Sequence, residues 1–187
     1  SVFPAALDER LNKLRVHPGE LGIEQLSSFI PNYENLTEED SLLVNLLLAD
    51  LAECISIHAV STYLAEHTEW DFMAVYYNAI DHISHCFMKY HPPKLEWADE
   101  RRFKLFNSVV EASYKWHDLM LSRWLELIDD ESYVMLLSDH GFHSDKLRVK
   151  ELPKEPAAIA REHNYFGMLA LKGPNVKKDD LIHGSSL

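Results

Sequence analysis

Apolar residues in the first part of the chain recur at steps of three and four, the period of a helix that buries one face. Leu7, Leu11 and Leu14 predict a short helix and residues 20–29 another, within a lead-in to residue 35 that is punctuated by Pro4, Pro18 and Pro31. Thr37-Glu38-Glu39-Asp40 reads as a helix start, a capping side chain followed by acidic first-turn residues. Behind it Leu43, Leu47, Cys54, Ile55 and His58 fall near one face of a helix that runs to about residue 66. The pattern then changes. Residues 70–77 (WDFMAVYY) are short, apolar and aromatic, which predicts a buried strand. Asn78 to His85 returns to helix, and Pro92-Pro93 ends any continuation.

Residues 99–129 carry Phe103, Phe106, Val110, Tyr114, His117, Met120, Leu121, Trp124 and Ile128 at helical steps, predicting one long helix with His117 in its apolar stripe as a core residue. Residues 133–137 are again strand-forming, and Ser138-Asp139-His140-Gly141 follows as a turn. A loop over 143–161 holds Pro153 and Pro156; residues 165–171 predict a third strand, closed by Lys172-Gly173-Pro174. Strand, crossover helix, strand is a right-handed βαβ unit, and it makes the first two strands parallel. The expected fold class is therefore α/β, a parallel sheet sandwiched between helices. A helical segment over residues 1–69 leads into a core over 70–187.

Composition narrows the class without changing the fold. At 187 residues, 47 % hydrophobic and 26 % charged, the chain is long enough and apolar enough for a sizeable core. Eighteen basic residues against 30 acidic ones leave a net charge of −12, the wrong sign for neutralising nucleic-acid phosphates. No apolar run reads as a membrane span, so no membrane segment is expected. Cys54 and Cys86 give neither a disulfide framework nor a Cys-x-x-Cys spacing, which points to a reducing compartment and a cytoplasmic location.

The chemistry concentrates in two places. Val134 to Leu137 delivers Asp139 and His140 at the carboxyl end of a strand, where open α/β sheets place their sites. A carboxylate beside an imidazole suits Zn²⁺ or Mn²⁺. Upstream, Asp81 and His85 stand four apart, on one face if the segment is helical, so both can reach a single ion. His82 points elsewhere on that geometry and reads as a packing or orienting residue. With parallel strands, both pairs arrive at the same sheet edge. There is no Gly-rich phosphate loop, no Gly-x-Ser-x-Gly elbow and no Walker motif.

Asp81-x-x-x-His85, then Ser138-Asp139-His140-Gly141-Phe142, then His163 ahead of a strand ending in Gly173-Pro174 resembles the alkaline phosphatase superfamily. The nearest branch is the type I phosphodiesterase/nucleotide pyrophosphatase group, and the likeness covers about residues 70–187. The resemblance implies two divalent ions, usually zinc with manganese as the alternative, at the edge of a parallel sheet. It implies that Asp81, His85 and His163 hold one ion, with His183 the other candidate for the third position, and that Asp139 and His140 hold part of the second. It also implies a small phosphorylated substrate, a Thr or Ser nucleophile and a covalent phospho-enzyme.

The chain departs from that pattern in one respect. Residues 1–35 offer no strand followed by an Asp or by a nucleophile-bearing turn, so the nucleophile is expected upstream of Ser1 and the isolated piece is expected to be inactive. Sulfatases, phosphonate hydrolases and cofactor-independent phosphoglycerate mutases share the metal logic, and a non-catalytic scaffold would share the fold.

Overall fold

In the computed structural model, residues 4–151, 160–178 and 180 are described. The chain is a mixture of helices and small antiparallel sheets, and it divides into two compact units, Ser1–Leu127 and Ile128–Leu187.

The first unit is helical. Short helices α1 (Asp8–Asn12) and α2 (Ile23–Phe29) precede the long α3 (Ser41–His67). Thr37 opens α3 through a tight turn: its backbone N–H and its hydroxyl both donate to Asp40 Oδ2, at 3.0 and 3.1 Å. Arg101 then grips the same carboxylate with two 2.7 Å hydrogen bonds, fixing the start of α3 to α5 (Glu100–Phe106). α3 packs against α4 (Ala79–Phe87) and α6 (Val109–Leu127). The core they form with α5 is largely apolar: Leu47, Ile83, Phe87, Phe106 and Val109 are fully buried, and the Phe87 and Phe106 rings meet edge to face at 5.4 Å.

Over Glu38–His67 the α3 region is long and apolar enough, by length and composition alone, to cross a membrane, a length that the hydropathy reading missed. Polar side chains on this helix are hydrogen-bonded to other segments of the unit: Asp50 to His82, Ser56 to Val16 and His58 to Tyr77. These bonds tie the helix to its unit, while Leu42 and Leu46 on it stay exposed.

The long helix expected over 99–129 is two helices. Asn107 and Ser108 interrupt it, and the Ser108 hydroxyl donates instead to the Phe29 carbonyl at 2.9 Å. Asn and Ser compete with the helix ladder in this way.

The second unit holds the strands. β1 (Val134–Leu137) pairs antiparallel with β4 (Leu169–Lys172), and β2 (Gly141–Phe142) pairs antiparallel with β3 (His163–Asn164). The expected parallel sheet is thus not found among the described residues. Residues 70–77 carry no regular secondary structure; Met73, Val75 and Tyr77 are half-buried and Phe72 and Tyr76 exposed. They form no ladder among the described residues, so the βαβ unit predicted from them is not formed. The apolar alternation gives the half-buried face, but a strand's partner is a long-range choice that the pattern does not encode.

Candidate functional site

α4 is strongly amphipathic. Ala79, Ile83, Ser84 and Phe87 face inward, which leaves Asp81 and His85 together on a neighbouring flank. Their side chains meet as the spacing predicts: Asp81 Oδ1 lies 3.4 Å from His85 Nε2. His82 turns the other way and hydrogen-bonds Asp50 of α3 through Nδ1 at 3.0 Å. Asp50 was not anticipated as part of this region. Burial raises its pKa, and the His82 ring opposes the rise. Its only sequence signal was a carboxylate in the middle of an apolar helix.

In the second unit the Ser138-Asp139-His140-Gly141 turn is clamped at its start. Ser138 N–H donates to the Met168 carbonyl at 2.9 Å, and Met168 N–H donates to Ser138 Oγ at 3.0 Å. The chain passes so close that a Cβ on Gly167 would sit 2.0 Å from the Ser138 carbonyl oxygen, so no other residue fits there. That glycine, inside an otherwise apolar strand-like run, was the available signal of a close backbone approach.

Beyond the clamp, the Asp139 side chain is 80 % exposed, and its Oδ1 accepts from the His140 backbone N–H at 3.1 Å. His140 is held more firmly. Its Nδ1 lies 3.2 Å from the Gly141 carbonyl, so Nδ1 carries the proton in that contact, and its Nε2 lies 3.8 Å from Asp139 Oδ1. The ring stacks on His163 with centroids 3.6 Å apart and planes 12° from parallel. The two-residue β2–β3 ladder builds this stack by pairing Phe142 with His163, and the Phe142 ring closes one side of both imidazoles.

The structure therefore brings Asp81 to His85 within the first unit and His140 to His163 within the second. Asp139 sits at the tip of the turn, and His183 lies outside the described residues. Carboxylate oxygens and neutral imidazoles are a suitable donor set for zinc or manganese.

The family model described as type I phosphodiesterase / nucleotide pyrophosphatase matches residues 20–163. That interval contains Asp81, His85, Asp139, His140 and His163, and excludes His183. No curated protein and no solved structure gives a match.

Proposed function

Because the chain belongs to the type I phosphodiesterase / nucleotide pyrophosphatase family, we propose that it serves metal-dependent hydrolysis of phosphate esters, diesters and nucleotide pyrophosphates foremost. The observation that carries this reading is the family match, which spans all five candidate ligands and most of the chain.

In this reading Asp81, His85 and His163 hold one divalent ion, and Asp139 and His140 contribute to a second, zinc being preferred over manganese. The local geometry supports the assignment within each unit. Asp81 and His85 already stand side by side on one helix flank. The Gly141 carbonyl favours Nδ1–H on His140, the tautomer in which Nε2 can take an ion. The family match, which includes His163 and ends there, supports His163 over His183 as the third imidazole. Ions held by these residues would supply Lewis-acid polarisation of a phosphoryl oxygen and a lowered pKa for an oxygen nucleophile. The fold completed by this family is expected to be a parallel sheet between helices, and the substrate a small phosphorylated molecule. A cytoplasmic location is proposed from the cysteine usage alone.

The test is hydrolysis of bis-p-nitrophenyl phosphate and of a nucleotide p-nitrophenyl ester by the intact, zinc-loaded protein. Chelation should abolish turnover and Zn²⁺ should restore it. Asp81→Ala, His85→Ala, Asp139→Ala, His140→Ala and His163→Ala should each lower kcat/KM by at least about 100-fold. Turnover that survives exhaustive chelation, or five variants as active as the parent, would remove the reading.

A further inference from the structure

Away from those residues, the packed interface of α3 and α6 gathers a second set of ligating atoms. Cys54, fully buried on α3, places its Sγ 3.5 Å from His117 Nε2 and 3.7 Å from Met120 Sδ. His117 and Met120 lie three residues apart on α6 and so share a face. The imidazole is oriented from behind: His117 Nδ1 lies 2.8 Å from the Ser113 carbonyl, which makes Nδ1 the protonated nitrogen and turns the Nε2 lone pair toward the thiol. The Ser113 hydroxyl, on the same face, is itself buried without a hydrogen-bond partner.

The three donors are those of a soft-metal site. Thiolate, thioether and imidazole together select Cu(I)-like ions over hard cations. The spacing agrees with that use. With bonds of about 2.3 Å to sulfur and about 2.0 Å to nitrogen at near-tetrahedral angles, ligand atoms stand about 3.5–3.8 Å apart. One thiol proton, by contrast, cannot bond both neighbours at once. We propose that Cys54, His117 and Met120 form a buried binding site for a soft monovalent d¹⁰ ion, Cu(I) in chemistry, separate from the carboxylate–imidazole residues assigned above.

Charge favours this occupant. One thiolate, a neutral imidazole, a thioether and a monovalent cation sum to zero, the cheapest state for a buried site. Burial lowers the pKa of His117, keeping the ring neutral; burial together with the nearby Glu53 and Asp50 pushes the Cys54 thiol up to about 12, a cost of ionisation that the S–metal bond has to offset. The same two carboxylates attract a cation. On binding, the S–H bond breaks, an S–metal bond forms and one proton leaves to solvent; no electron is transferred.

The experiment is an anaerobic Cu(I) titration of the zinc-saturated chain against a chromogenic Cu(I) chelator, followed by copper K-edge absorption on the bound form. The expected result is one tightly held equivalent with a first shell of two sulfurs and one nitrogen. Cys86→Ser should retain it, Cys54→Ser should weaken it at least 100-fold, and Met120→Leu should weaken it by a smaller factor. A shell of oxygen and nitrogen only, a single sulfur that disappears in Cys86→Ser, or an unchanged affinity in a folded Cys54→Ser would each overturn the proposal. Should Cys54→Ser fail to fold, the absorption shell of the unsubstituted chain decides.

Discussion

The two units bury different things. In the helical unit most buried side chains are apolar, Leu11, Phe29, Leu47, Leu51, Ile83, Phe87 and Phe106 among them, with Asp40, Ser61, Ser84 and Ser113 the buried polar ones among the described residues. Among the described residues of the strand unit the buried side chains are Arg148 and Glu162, both charged. Its most strand-like residues lie open: Met135 is 58 % exposed, Leu137 52 % and Leu169 48 %. A helix satisfies its own backbone and needs only one partner face. A strand needs neighbours along its edges and cover on both faces before its apolar residues contribute. Of the two halves of the candidate chemistry, Asp81 and His85 therefore stand on a supported element. Asp139, His140 and His163 stand on two short ladders, held locally by the Ser138–Met168 clamp and the imidazole stack.

The sharpest break in that comparison should come from the helical core. Phe106 is fully buried and touches both Phe87 and Tyr90 through ring contacts at 5.4 and 5.6 Å. Phe106→Ala should destabilise the chain by about 3–5 kcal/mol, through lost transfer energy and the cavity left behind. Urea unfolding followed by circular dichroism at 222 nm measures it. A loss below about 1 kcal/mol would mean that the interior is looser than its burial implies.

Next in size is the buried carboxylate that ties α3 to α5. Asp40 is shielded from solvent, while its partners Arg101 and Arg102 remain 40 % and 34 % exposed, so both arginines can turn to water when it is removed. Asp40→Ala should cost about 2–3 kcal/mol, at or below the low end for breaking a buried pair. The Arg101 guanidinium holds the Asp40 carboxyl well below the usual carboxylate range, and Thr37 adds to the effect. With the folded pKa depressed, the contribution is fully present above the unfolded value near 3.9. It is lost as pH falls from there through the folded value. Stability of the parent relative to Asp40→Ala should therefore converge below about pH 3.9, and a constant difference down the whole acid limb would refute this account.

How much was legible follows from which interactions are local. The start at Thr37, the face shared by Leu47 and Cys54, and the meeting of Asp81 with His85 all depend on neighbours within a few turns, and all are found. Residues 133–137 and 165–171 read as strands, and β1 and β4 form within or beside them. Their pairing partner did not read, because the apolar patterns of residues 70–77 and of β4 both look strand-like and neither encodes which one β1 joins. The β2–β3 ladder and the stack of His140 on His163 were invisible for a further reason. Two-residue strands carry no periodicity, and the signal is a single register, Phe142 opposite His163. Ser108 looked like any helix residue until its hydroxyl met the Phe29 carbonyl, 79 residues away in sequence.

The smallest effect is expected where the sequence alone would have put a large one. Leu137 closes the apolar run of β1, yet the side chain is 52 % exposed, and among the described residues the backbone pairs with Leu169 of β4 on one side. Leu137→Ser removes little area from a dry contact and leaves no polar group buried, so the loss should stay within about 0.5 kcal/mol, the range of surface substitutions. The same urea titration used for Phe106→Ala gives the comparison under one set of conditions. A loss for Leu137→Ser approaching that of Phe106→Ala would show that the β1 face is covered in solution. It would also place the Asp139-His140 turn on an element as well supported as the Asp81-His85 helix.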